Sequence, residues 1–97
     1  MSQHHFSATA STGQQVQVQC GWDRPLQHQH LTVWAVPEAP AEREVLYTCL
    51  MERGGGLPDV DAVADELEKL GIEAPEGLYE RLWLDESFNQ GNGLTVW

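Results

Sequence analysis

The spacing of apolar residues changes near the middle of this chain, and the change limits the fold to one that combines strands with helices. Before residue 54, apolar residues recur mainly at every second position, which places them on one face of a β-strand. After the three glycines at 54–56 they recur at three- and four-residue spacing, which places them on one face of an α-helix. A chain of 97 residues is long enough for one hydrophobic core and too short for two. We therefore predict one α+β domain over residues 1–97, with a β-rich part at 1–53 and a helical hairpin followed by a short strand at 57–97.

Four strands are predicted in the β-rich part. The clearest alternation lies at residues 15–22, where four apolar residues alternate with three glutamines. A similar run at 5–10 precedes it, and the Ser-Thr-Gly sequence at 11–13 predicts a hairpin turn between the two. A third run at 29–36 also alternates. The fourth run, at 44–51, is apolar at both sets of positions, which is typical of a central strand that is covered on both faces.

Two helices and a last strand are predicted after the glycines. Asp59 is a favourable N-cap for a helix over residues 60–70, and Gly71 suits the left-handed conformation that often follows a helix. The second helix begins near Pro75 and weakens toward residue 89, and residues 94–97 return to the sheet as a short strand. The apolar side of the second helix comprises Leu78, Tyr79, Leu82 and Trp83. The predicted order is ββββααβ: a small, mostly antiparallel β-sheet of four to five strands packed against a two-helix hairpin.

The composition is that of an ordinary globular protein, with 41% hydrophobic and 21% charged residues. No apolar run approaches the roughly 20 residues that a transmembrane helix needs, and the N-terminal residues do not resemble a signal peptide. Cys20 and Cys49 lie in strand patterns without a secretory signal, so we expect free, buried thiols. These observations favour a cytoplasmic protein without membrane association.

Negative charge is concentrated in the helical part of the chain. Residues 59–86 contain ten of the fifteen acidic residues and two of the five basic ones, a net charge of −8 out of −10. A surface of one sign repels nucleic acid and attracts basic proteins, although acidic helices are also common as solvated faces that keep a small protein soluble. Three acids share one flank of the first helix, and two more extend the surface onto the second. The predicted acidic surface comprises Asp61, Asp65, Glu68, Glu76 and Glu80.

Two further groups of residues are candidates for a functional role. Trp22 and Arg24 lie in the connection between the second and third strands, and both residue types are enriched at interface hot spots, although Trp22 also continues the core row of its strand. His28 and His30 share one face of the third strand about 6–7 Å apart, a spacing that suits zinc or iron if a third ligand is present. Such a pair is common and no further ligand motif accompanies it, so an ordinary solvent-exposed strand is the favoured explanation.

No motif in the sequence is specific enough to identify a reaction or a cofactor. Neither cysteine has a neighbouring histidine, and no serine lies in a nucleophile-elbow sequence. We therefore expect a non-catalytic interaction or accessory protein, without a cofactor, that does not bind nucleic acid directly. It would bind a protein partner through the acidic surface or the Trp22–Arg24 loop, and the negative charge favours a basic partner.

The alternatives are a DNA-mimic inhibitor of a nucleic-acid-binding protein and a small metal-dependent enzyme that uses His28 and His30. An unprotected edge strand would also permit homodimerisation.

Overall fold

The computed structural model describes residues 2–36, 44–49 and 55–97, and five strands and two helices lie within them. The predicted α+β architecture and the element order ββββααβ are confirmed. The elements are β1 (Ser2–Thr9), β2 (Gln15–Asp23), β3 (His28–Ala35), β4 (Glu44–Thr48), α1 (Val60–Lys69), α2 (Leu78–Ser87) and β5 (Gly93–Val96). The predicted loop at 37–42, the end of the fourth run at residues 50 and 51, and the first glycine of the 54–56 break lie outside the described residues.

The strands form one sheet in the order β4-β3-β2-β1-β5. The first four strands pair antiparallel with their neighbours along the chain, and β5 pairs parallel with β1, with Ser2 opposite Gly93. The sheet is therefore mostly antiparallel, as predicted, and β1 and β5 bring together residues that are more than ninety positions apart.

The expected central position of the fourth strand was wrong, because β4 lies at an edge of the sheet. Its register against β3 shifts between Val33 and Trp34. Val33 pairs with Tyr47 and Trp34 pairs with Val45, so Leu46 is an extra residue in β4. Such a bulge resets the alternation of side chains. Apolar residues at both sets of positions therefore reflect the bulge and do not indicate two covered faces.

The hydrophobic core lies between the helices and one face of the sheet. Alternate residues of the strands supply the sheet side of this core, and one stripe of each helix supplies the other. Cys20 and Cys49 are free and buried, as predicted. Among the buried residues of this core are Phe6, Val16, Val18, Leu31, Val33, Val63, Leu67, Leu78 and Leu82.

Helix α1 begins and ends as its local sequence predicts. The Asp59 carboxylate accepts a hydrogen bond from the Ala62 N–H at 2.9 Å, and Gly71, just beyond the helix, has a φ of +67°. Neither α1 nor α2, each ten residues long, has the length or apolar character of a membrane-spanning helix, and the rest of the described chain contains no such helix.

Helix α2 differs from its predicted apolar side at two positions. Trp83 is 57% exposed, whereas Asp85 is only 3% exposed. The reason is a contact that helical periodicity does not reveal, because the Asp85 carboxylate lies 2.7 Å from the imidazole of His4 in β1. The inward side of α2 is consequently partly polar.

Candidate functional site

The structure places all five residues of the predicted acidic surface in contact with solvent. Asp61, Asp65 and Glu68 are exposed on α1, Glu80 is exposed in the first turn of α2, and Glu76 is exposed just before that helix. The core-facing stripes of the two helices are separate from these carboxylates. A partner that approaches the helical side of the molecule therefore meets them first.

A groove between the two helices gives part of this surface a definite shape. It has a volume of about 400 Å³ and is lined by Ala64, Glu68, Gly71, Ile72, Glu73 and Tyr79. Burial raises the pKa of the Tyr79 phenol, and the nearby Cys20 and Glu68 raise it further, so the ring is in its neutral form at physiological pH. Two carboxylates beside an aromatic ring are a favourable environment for an ammonium or guanidinium group.

Sequence reasoning did not identify the groove. The helical pattern assigned Tyr79 to the core, and Glu73 lies in the connection between the helices and was not among the predicted site residues. The distribution of charge was the one available signal, because Glu73 belongs to the acidic stretch 59–86. How the helices pack, which brings Glu73 and Tyr79 beside Glu68, is not encoded in any local pattern.

Trp22, a predicted partner-binding residue, lies in the core. Its side chain is 4% exposed, and its indole N–H donates a hydrogen bond to the Asn89 side-chain oxygen at 3.1 Å. Its backbone N–H donates to the Ser2 hydroxyl at 2.9 Å. Trp22 thus fixes the end of β2 against the residues after α2 and supports the turn that carries Arg24.

The β2–β3 turn, residues 24–27, is exposed and held in place. Leu26 is 66% exposed at its tip, and Arg24 is also exposed. The Gln27 amide donates hydrogen bonds to the Arg24 carbonyl at 2.7 Å and to the Asn89 side-chain oxygen at 2.6 Å. The turn therefore presents a cation and an apolar side chain on a constrained backbone, which is a second candidate surface for a partner.

The two candidate metal ligands, His28 and His30, lie on the side of the sheet away from the helices. The His30 Nε2 lies 2.8 Å from the Ser2 carbonyl oxygen, and because a carbonyl only accepts, this nitrogen carries a proton and is not available to a metal. Burial lowers the pKa of His30, and the bond to Ser2 partly offsets that effect. Both ring nitrogens of His28 are buried and have no hydrogen-bond partner among the residues that the structure describes. In the described part of the chain, no three histidine, cysteine or carboxylate side chains come together as metal ligands.

A buried polar cluster that the sequence did not indicate joins β1, α2 and the end of the chain. His4 and Asp85 are 2% and 3% exposed, and their side chains are 2.7 Å apart. The Trp97 indole N–H donates to the His4 Nδ1 at 3.1 Å, and the Arg81 Nε lies 3.3 Å from the second Asp85 oxygen. An Asp–His pair can supply a general base, but here Trp97 occupies the nitrogen that would accept a proton. In this arrangement the cluster links β1, α2 and Trp97.

The face of the sheet opposite the helices, which we call the open face, is formed by alternate residues of all five strands. Cross-strand hydrogen bonds order several of its side chains, including Gln15 to Thr9 at 3.1 Å and Thr32 to Thr48 at 3.3 Å. The strand registers assign to the open face Gln3, His5, Ser7, Thr9, Gln15, Gln17, Gln19, Asp23, His28, His30, Thr32, Trp34, Val45, Thr48, Leu94 and Val96.

Comparisons with known proteins add no functional information. No protein-family model, no curated protein and no solved structure matches the chain significantly. The functional inference therefore depends on the chemistry and geometry of the surfaces described above.

Proposed function

We propose that this protein is a non-catalytic interaction protein that binds a basic segment of a protein partner through its acidic helical surface. The groove between α1 and α2 is the anchoring point for one lysine or arginine side chain. The observation that carries the proposal is the position of Glu68 and Glu73 beside the half-buried ring of Tyr79 in that groove.

The groove supports the proposal better than exposed acidic residues alone would. An ion pair on an open surface contributes only about 0–1 kcal/mol, because water and salt screen it. At this groove one cation meets two carboxylates and the face of the Tyr79 ring together, and the cation–π contact adds about 0.5–1 kcal/mol at an exposed site. The exposed acids outside the groove would mainly increase the rate of association by long-range attraction.

The test uses synthetic peptides, one rich in arginine and glycine and one in which glutamate replaces arginine. Isothermal titration calorimetry would compare the wild type with the double variant E68Q/E73Q and with the matched double variant D61N/E80Q, which removes the same charge outside the groove. We expect E68Q/E73Q to weaken binding of the arginine peptide at least tenfold, D61N/E80Q to weaken it less than threefold, and the glutamate peptide not to bind.

Equal weakening in the two double variants would show that only net charge matters and would reject the groove as the anchor. Salt provides a second criterion. Raising NaCl from 50 to 300 mM should weaken binding markedly, because the interaction is between opposite charges. Binding that does not respond to salt would contradict the proposal.

The β2–β3 turn offers the competing surface for a partner, since Leu26 is 66% exposed and Arg24 lies beside it. Two variants separate the surfaces once a partner has been captured from lysate and purified. Reversing the five acids of the predicted surface to lysine should abolish binding, whereas R24A/L26S should leave it unchanged. The opposite pattern would place the binding site on the turn.

A further inference from the structure

The open face differs in charge from the rest of the molecule. Among its residues in the described part of the chain there is no lysine or arginine, and its one carboxylate, Asp23, is 7% exposed. The protein as a whole has a net charge of −10. A second copy of the chain is repelled by the helical side but not by the open face.

The apolar residues of the open face lie at its two margins. Leu94 and Val96, which are 68% and 76% exposed, lie on β5 at one edge of the sheet. Trp34 and Val45 lie opposite one another on β3 and β4 at the other edge. Exposed aliphatic side chains of this size gain free energy when a second surface covers them.

The centre of the open face is polar and has unused hydrogen-bonding capacity. Gln17 and Gln19 lie on β2, the middle strand of the five, and their side-chain amides make no hydrogen bond with another described residue. An amide both donates and accepts, so a row of glutamines is complementary to a second copy of the same row.

We propose that the open face is the interface of a two-fold symmetric homodimer in which two sheets stack face to face. The two-fold axis would lie in the plane between the two sheets and pass over β2, either parallel or perpendicular to the strands. Because β2 is the central strand, both orientations place β2 of one copy against β2 of the other, and each apolar margin against an apolar margin of the other copy. The acidic helical layers then lie on the two outer sides of the dimer, separated by both sheets. The charged surfaces are thus as far apart as the fold allows.

The size of the open face is consistent with a weak but specific dimer. Each residue of a strand extends it by about 3.3 Å, and neighbouring strands are about 4.8 Å apart. Three strands of about eight residues and two shorter outer strands therefore give the face an area of roughly 500 Å². Gly56 packs against the His28 ring and covers that corner of the face, so two copies would bury somewhat less than roughly 1,000 Å², at the lower limit for a biological interface. We therefore expect a dimer that dissociates in the micromolar range.

The test is the solution mass of the intact protein, measured by sedimentation equilibrium between about 5 and 500 μM. The wild type should approach twice 10.8 kDa as its concentration rises. Gln19 is paired with His5 and Thr32 at the middle of the face, so substitutions there bring like charges together in the dimer. Both Q19K and Q19E should weaken dimerisation at least tenfold. The control variants S87K and S87E, on the exposed side of α2, should leave it unchanged.

Circular dichroism and urea unfolding would establish that the Gln19 variants are folded, and Q17E provides a second position on the same strand if they are not. A protein that stays monomeric throughout the concentration range would overturn the proposal. So would a dimer that survives either charge at Gln19, because it would form elsewhere, for example by pairing of the edges β4 or β5.

Salt distinguishes this interface from the proposed binding of a basic partner. Raising NaCl should strengthen the dimer, since it screens the repulsion between two acidic copies, and it should weaken the binding of an arginine peptide. Dimerisation and peptide binding are measured separately, so a negative result for one of the two proposals does not affect the other.

Discussion

His4 connects three segments of the chain because its two ring nitrogens have different partners. An indole N–H can only donate, so the bond from Trp97 at 3.1 Å shows that the His4 Nδ1 is unprotonated. The proton of the neutral ring therefore lies on Nε2 and is donated to Asp85 at 2.7 Å. This one side chain holds β5 and α2 against β1.

Removing the His4 ring should destabilise the protein more than removing the indole nitrogen. His4→Leu leaves the buried Asp85 carboxylate without its nearest donor, and we expect it to lower the free energy of unfolding by about 3 kcal/mol. Trp97→Phe keeps an aromatic ring and removes one donor, so its expected cost is about 1 kcal/mol. Urea unfolding at pH 7 measures both. A cost for His4→Leu below that of Trp97→Phe would contradict the assigned bonds.

Cys20 gives the folded state a dependence on alkaline pH. Burial, with a smaller contribution from the charge of Asp85, raises the pKa of its thiol from 9.0 to about 12. Between these values the unfolded chain releases the proton and the folded chain retains it, so stability is lost as pH rises from 9 toward 12. The full difference between these two pKa values corresponds to a loss of roughly 4 kcal/mol in the free energy of unfolding.

Urea unfolding at pH 8 and pH 11 tests this dependence on the Cys20 proton. Cys20→Ala should show a smaller loss between the two pH values than the wild type, with the remainder reflecting the raised pKa of Tyr79. An aromatic disulfide reagent at pH 8 should not label Cys20 in the folded protein, and rapid labelling would show that the thiol is accessible.

At the scale of the elements, the contact between α1 and the β1–β2 turn depends on one glycine. The Ser11 N–H donates to the Leu70 carbonyl at 3.3 Å, and a Cβ at Gly71 would overlap the Ser11 side chain. Gly71 also has a φ of +67°, which is strained for other residues. Both effects act against any side chain at this position.

Gly13 is a matched control for Gly71, because its φ is +86° and a Cβ there would meet no atom within 4 Å. We expect Gly13→Ala to cost about 1 kcal/mol from backbone strain alone, and Gly71→Ala to cost at least about 2 kcal/mol because the turn must also move. Thermal or urea unfolding of the two variants provides the comparison. Equal costs would show that the contact with Ser11 contributes nothing.

The elements also show which features the sequence could predict. The start and end of α1 follow from Asp59 and Gly71, which act on their immediate neighbours, and the alternation in β2 and β3 reports one buried face directly. The edge position of β4 and the burial of Asp85 depend on partners distant in sequence. The same distinction applies to the candidate site: the charge pattern predicted the exposed acids, but the groove containing Glu73 and Tyr79 exists only because two helices pack together.

At the scale of the whole molecule, the charge is asymmetric between the two sides, and this affects stability as well as binding. The helical side has the exposed acids, while the open face has no exposed charge among its described residues. Repulsion among the acids opposes the folded state and is screened by salt, with a screening length of about 30 Å at 0.01 M and 10 Å at 0.1 M.

Added salt should therefore stabilise the folded protein. We expect the free energy of unfolding to rise by about 1 kcal/mol between 10 and 500 mM NaCl, measured below 5 μM protein so that association does not contribute. The variant E68Q/E73Q, which removes one carboxylate in the last turn of α1 and one just beyond that helix, should be more stable than the wild type at low salt and should respond less to added NaCl. A fall in stability with salt would indicate that attractive ion pairs outweigh the repulsion.

The pairing of β5 with β1 has a consequence for how the chain acquires its structure during synthesis. Residues 2–5 pair with 93–96, so in the growing chain β1 has one neighbour, β2, until residues 93–96 have been synthesised and have left the ribosome. The hairpin and β3 can form early because their contacts are local, whereas closing a loop of about ninety residues is slow. The outer edge of β1 is therefore the last part of the sheet to be protected, and a ribosome that stalls before residue 93 would leave a nascent chain with that edge exposed.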